Sequence, residues 1–141
     1  MSEFYKYFKE NMDGLGLPAP ESLFGSIEMT VANATVILSQ IDKFGKSVTV
    51  GELIGAGTRL EGLGVVAACS AAFYVGAVIG SLAVATGRSL SGGTSIADVI
   101  FAADSRGLNR PWLLSSLQRW PGLYKPEMLA RNSYRHHAVI V

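Results

Sequence analysis

The chain has 141 residues, 49% of them hydrophobic and only 16% charged, with a net charge of +1. That length suits one domain with a real core, and so slight a charge excludes a dominant nucleic-acid footprint. A single cysteine, Cys69, excludes an internal disulfide framework and leaves the redox compartment open.

The charge is uneven along the chain. Residues 1–42 hold two lysines against six acidic groups, residues 43–104 hold four of each, and residues 105–141 hold six basic groups against Glu127 alone. An acidic head, an apolar middle and a basic tail suit a chain that meets an anionic surface tail-first. Two solvated ends of a helical domain give the same pattern. The N-terminal MSEFYKYFKENMDG lacks a basic stretch followed by an apolar one, so no cleaved secretory signal is read. If the protein leaves its cell, something other than a cleaved signal must carry it.

Residues 2–11 set Phe4, Tyr5, Tyr7 and Phe8 among charges, as in a short amphipathic helix, before Gly14, Gly16, Pro18 and Pro20 break the chain. From 21 to 44 the pattern is cleaner. Phe24, Ile27, Val31, Ala34, Leu38 and Ile41 alternate spacings of three and four, one apolar stripe on a helix that must cover a partner surface. Gly45 fits the position just past its end, with Lys43 and Lys46 suiting the negative pole of the dipole. Thr49 followed by Glu52 reads as a capping box opening a second helix, which Leu53, Ile54 and Ala56 continue through the glycines at 51, 55 and 57 to Arg59 and Glu61.

Between Glu61 and Arg88 the chain runs 26 residues, 62–87, without a charged side chain. A helix over 63–85 would be roughly 35 Å long, enough for a hydrocarbon core. Gly64, Ala68, Ala72, Gly76 and Gly80 recur at four-residue spacing, a smooth strip where another helix can approach closely. Gly62, Leu63 and Gly64 are the expected hinge before this helix; if they straighten, one helix runs from about 50 to 86. The run is rich in alanine and glycine, so entry into lipid is favourable but modest. A central helix wrapped by amphipathic neighbours is the soluble alternative.

Gly87, Gly92 and Gly93 end the run in a loop. Thr94 or Ser95 caps a short helix through Phe101 to Asp104, with Gly107 as its stop. Asn109 and Pro111 start another, carrying Trp112, Leu113, Leu117 and Trp120 until Pro121 ends it. Residues 126–132 allow one more short helix. The expectation is a single all-α domain over 1–141: a small bundle around a long apolar helix at about 63–86, an amphipathic helix before it, short helices after it, and a basic tail region from 105 to 141.

No catalytic constellation stands out, and the chain does not read as an enzyme. His136 and His137 are adjacent and lack the spacing of a helical metal pair. Ser89, Ser91 and Ser95 have no nucleophile elbow, and the glycines at 92 and 93 lack the lysine of a phosphate loop. Asp98 and Asp104, six residues apart, turn to different faces of a helix. Neither cofactor nor metal is expected. Arg110, Trp112, Arg119, Trp120, Tyr124 and Lys125 mix amphipathic aromatics with cations, as at a membrane–water interface. Tryptophans covering the core of a bundle read equally well.

The Gly64–Ala68–Ala72–Gly76–Gly80 ladder resembles the glycine-zipper segments of small pore-forming bacterial toxins. In size and layout the chain is similar to the pore-forming effectors delivered by type VI secretion, over roughly residues 50–87 and in architecture alone. The resemblance implies a toxin that inserts in a target bacterium's inner membrane, associates with its own copies in lipid and dissipates the membrane potential. It also implies an immunity protein and a secretion-tube component as partners. Two other readings stay open: a soluble binding module (an immunity factor, adaptor or chaperone-like subunit) with the run as core, and a resident membrane protein with one span.

Overall fold

The computed structural model describes residues 2–57, 60–87, 95–125 and 131–134; the regular structure among them is helical, with no strand. Among the described residues seven α-helices pack together: α1 (Glu3–Gly14), α2 (Glu21–Phe24), α3 (Ile27–Phe44), α4 (Val50–Gly55), α5 (Ala71–Thr86), α6 (Ile96–Ser105) and α7 (Leu113–Arg119). Side-chain oxygens meet the free N–H groups that open most of them. Ser2, Ser26 and Ser70 accept from Tyr5, Met29 and Phe73, while Thr49 with Glu52 and Ser95 with Asp98 form reciprocal capping boxes. Gly45 (φ 97°) and Gly107 (φ 70°) take the left-handed backbone that ends α3 and α6.

α5 is the element that α1, α3, α4, α6 and α7 all touch. Each of its residues from 71 to 85 is buried. A helix apolar on every face has no side to offer water, so it must be enclosed. α1 and α3 do most of the enclosing. On α1 the buried positions Tyr5, Phe8 and Met12, continued by Leu15, repeat at three and four residues. The rings of Phe4, Phe8, Phe24 and Tyr74 then follow one another at centroid distances of 5.6, 5.3 and 6.4 Å. Tyr5 and Tyr74 donate their hydroxyls to the carbonyls of Ala19 and Pro18, at 2.7 and 2.6 Å, and so hold the α1–α2 loop against the core.

The expected helix over 63–86 does not exist as one element. Residues Glu61–Val66 form a 3-10 helix, residues 67–70 turn, and α5 begins only at Ala71. Competing backbone bonds explain the break. In a continuous helix the Ala71 N–H would donate to the Ala67 carbonyl. Here it donates to Val48, while the carbonyls of Ala67 and Cys69 accept from Gly51 and Val50. Gly51 permits this approach, since a Cβ there would stand 3.0 Å from the Ala67 methyl. The Ser70 hydroxyl then caps the new helix start. The bend therefore falls at 67–70 and not at the glycines of 62 and 64.

The expected helix over 21–44 is likewise divided. Phe24 ends α2, Gly25 and Ser26 break the chain, and α3 follows. Thr30 Oγ1 and Asn33 Nδ2 donate back to the carbonyls of Phe24 and Leu23, so the two pieces stay joined. No helix among the described residues is long and apolar enough to cross a membrane. With 16 residues, α5 is about 24 Å long.

Candidate functional site

The five-residue ladder is not one strip. Gly64 sits in the 3-10 helix and Ala68 in the turn after it, both exposed, and nothing lies within 4 Å of a Cβ placed at Gly64. Ala72, Gly76 and Gly80 are buried on α5. Gly76 and Gly80, four apart, are adjacent on one helical face. Their neighbour is the chain's own C-terminal region and not another long helix. A Cβ at Gly80 would lie 2.5 Å from the Leu123 carbonyl oxygen, and one at Gly76 would lie 3.6 Å from Leu123 Cδ1. The 3-10 helix Pro121–Leu123 thus crosses α5 at the glycines, backbone against backbone.

A buried polar knot ties this crossing to α1. Asn11 Nδ2 donates to Ser81 Oγ at 2.7 Å and to the Leu123 carbonyl at 3.1 Å. Arg131 Nη1 donates to Asn11 Oδ1 at 2.6 Å and to the Gly122 carbonyl at 3.2 Å. The Gly122 N–H donates to the Tyr134 hydroxyl at 3.3 Å. Asn11, Ser81 and Arg131 are all buried, so these bonds cannot be replaced by water without opening the fold. Two further glycines make the room. A Cβ at Gly14 would collide with the Arg131 guanidinium, and one at Gly122 would stand 2.8 Å from both Arg131 Cβ and the Tyr134 ring.

The aromatic and cationic residues divide into two places. Near the crossing, Trp120 packs edge-on against Phe73 of α5 (centroids 5.6 Å apart) and against Tyr134 (5.0 Å). Arg119 lies over the Trp120 ring, Lys125 lies over the Tyr124 ring, and Tyr124 is buried. Elsewhere, Arg110 grips Asp42 at the end of α3 through Nε and Nη2, at 3.0 to 3.1 Å. It also donates to the Asn109 carbonyl at 2.8 Å. Trp112 is half-buried against the core. Of the apolar stripe expected to cover the run, Ala34, Leu38 and Ile41 are buried on α3, Ile27 and Val31 are partly buried there, and Phe24 contributes from α2.

The knot has a trace in the sequence that the stripe analysis passed over. Asn11 falls between Phe8 and Met12 on the covered face of α1, and a polar residue inside an apolar stripe calls for a buried partner. Ser81 is the corresponding interruption in the uncharged run. Nothing in the sequence marked Arg131.

Little else offers chemistry. A surface groove of about 460 Å³ is lined by Phe44, Ser47, Val48, Glu52, Gly55 and Ala56, where Glu52 is held by its capping box. No group of His, Cys, Asp and Glu among the described residues has the geometry to hold a metal. His136, His137, Ser89, Ser91 and the glycines at 92 and 93 lie outside the described residues, as does most of the expected helix at 126–132. Burial pushes the Tyr5 hydroxyl's pKa up, and the Ser95 backbone and hydroxyl hold the Asp98 carboxyl below the ordinary aspartate range. Both are structural shifts, in a core hydroxyl and a helix cap.

Comparison of the chain with protein-family models, with curated proteins and with solved structures finds no match in any of the three.

Proposed function

We propose that the protein is a membrane-active, pore-forming toxin without a catalytic site, which stores α5 inside a helical bundle and releases it into a target inner membrane. What supports the reading is the enclosure of α5. Fifteen consecutive residues are hidden from water, inside a 26-residue segment without charge. An uncharged segment of that length is suited to lipid.

α5 alone is short of a hydrocarbon core of about 30 Å, so insertion requires residues 63–70 to wind onto it. Lipid favours that step. Away from Val48, Val50 and Gly51, the carbonyls and amides of 67–71 find partners in hydrocarbon only by continuing the helix. The longer helix, roughly 36 Å over 63–86, spans with some tilt. Gly76 and Gly80 then form a small-xxx-small face on which copies of the helix pack. The basic groups of the 105–141 region draw the chain to anionic headgroups.

The test is dye release from vesicles of phosphatidylethanolamine and phosphatidylglycerol by the purified chain, alongside Ala68→Glu. Ala68 is exposed, so the substitution spares the stored fold, yet it places a carboxylate inside the required span. Release by the wild type, cut at least tenfold in Ala68→Glu, is expected. Equal release by both would reject the winding of 63–70, and intact vesicles with both would reject the toxin.

One observation favours a second reading, a soluble binding module with α5 as permanent core. The Gly76 and Gly80 face is already filled by Leu123. That module would stay monodisperse without detergent and leave anionic vesicles untouched.

A further inference from the structure

We infer that residues 46–56, which carry α4, form a clip hinged at Gly45 and Gly57, and that its swing away from residues 67–71 is the step that lets α5 lengthen. The inference rests on the membrane reading and adds the element that controls it. The clip is fastened along the backbone. The Gly51 and Val50 N–H groups donate to the carbonyls of Ala67 and Cys69 at 2.9 and 3.0 Å, and the Ala71 N–H donates to the Val48 carbonyl at 3.0 Å. A helix continued through 67–71 needs the Ala67 carbonyl and the Ala71 N–H for each other. The clip holds both of those groups, so clip and longer helix exclude each other. Two discrete arrangements of the same atoms are what a switch requires.

Its two ends suit such a movement. Gly45 and Gly57 have φ of 97° and 93°, and nothing lies within 4 Å of a Cβ placed at either. Glycine in that backbone region can absorb a change of chain direction. The clip's apolar hold is short: Val48, Val50 and Leu53 are buried against the core, whereas Lys46, Ser47, Glu52, Gly55 and Ala56 are exposed. On its outer side the groove of about 460 Å³ lies between the clip and Phe44, itself 49% exposed. α3, by contrast, buries Ala34, Ile37, Leu38 and Ile41 along 18 residues. The element with the smaller apolar hold opens at the lower free energy. Once the clip has swung out, the Val48 carbonyl and the Gly51 N–H face water, while Ala67 and Ala71 pair with each other.

Two measurements on the full chain test the clip. In the wild type without vesicles, amide exchange at Val50, Gly51 and Ala71 should run roughly 10- to 100-fold faster than in the centre of α3, relative to intrinsic rates. The second measurement locks the clip. A Cβ at Gly51 would stand 3.0 Å from the Ala67 methyl, a small shift from disulfide geometry. Gly51→Cys with Ala67→Cys, in a Cys69→Ala background, therefore bridges the clip to the turn it holds. Dye release from phosphatidylglycerol vesicles by the oxidised protein should be slower by about tenfold or more than by the same protein reduced with dithiothreitol, with equal amounts bound. Thr49→Cys with Ser70→Cys, the facing pair of the antiparallel bridge, serves if the first variant does not fold.

Exchange at 50, 51 and 71 no faster than in α3 would overturn the clip, because it would then open only with the whole bundle. So would equal release by the oxidised and reduced protein once mass spectrometry has shown the bridge formed. In both cases release by the wild type leaves the membrane reading standing. Vesicles left intact by the wild type and by the reduced variant would end that reading, and the clip with it.

Discussion

The uncharged run divides at Ser70 into two stretches of similar composition that pack differently. Residues 71–85 are helical and wholly buried, whereas the 3-10 helix and turn before them bury Leu63, Val66 and Cys69 but expose Gly62, Gly64, Val65 and Ala68. Val65 stands 76% exposed although nothing polar distinguishes it from Val75, which is fully covered. Hydropathy does not decide between these states. Backbone partners do: Val48, Val50 and Gly51 take the hydrogen bonds that would have continued the helix. The lesson is that a long apolar run by itself fixes neither one helix nor one environment; backbone partners distant in the chain decide where the helix begins.

The largest expected effect sharpens that contrast directly. Gly80→Leu places a side chain where the Leu123 carbonyl lies, and should lower unfolding free energy by about 3 kcal/mol. Gly64→Leu enters open space and should change it by no more than about 0.5 kcal/mol. Urea midpoints of the two variants, read by circular dichroism, check this. Similar losses from both would mean that the halves are not differently packed.

Asn11→Ala comes next. It strands Ser81, the Leu123 carbonyl and Arg131 without their shared partner, at a cost of about 2 kcal/mol by the same measurement. A loss below about 0.5 kcal/mol would show that the knot contributes nothing to holding the buried half. Ser70→Ala tests the boundary between the halves. Loss of the Phe73 cap should cost about 1 kcal/mol and speed amide exchange in the first turn of α5.

The smallest effect serves as a control away from the run. Asp98 has its pKa depressed by the Ser95 cap, so its contribution to stability is complete above the ordinary aspartate value. It fades as the pH falls through the lower folded value. Ser95→Ala should move the Asp98 titration, followed by NMR, back toward the ordinary range while the run is unaffected. An unchanged titration would remove the hydroxyl as a cause and leave the Ser95 backbone N–H, which the substitution keeps.

Local signals proved readable wherever one residue sets one backbone event. The capping box at Thr49 and Glu52, the start of α6 at Ser95 (one of its two expected caps), and Gly45 and Gly107 as helix stops stand where the sequence placed them, although α4 ends at Gly55, short of the expected Glu61. The Val31–Ile41 part of the apolar stripe was equally plain, since α3 buries Ala34, Leu38 and Ile41. What escaped depends on contacts distant in sequence. The break at 67–70 is imposed by residues 48–51, and the polar knot joins Asn11 to Arg131 across 120 positions. The small-residue spacing did mark a close approach at Gly80, but the approaching backbone is that of Leu123. Periodicity reports which face is covered and is silent on what covers it.

The claim that residues 63–70 wind onto α5 in lipid is tested most directly by spin labelling at Ala68→Cys in a Cys69→Ala background, where the site is exposed and takes the label without unfolding. On adding phosphatidylglycerol vesicles, the label should pass from water-accessible to oxygen-accessible, as a site below the headgroups does. A label that stays in water while the chain is bound to vesicles would contradict the account.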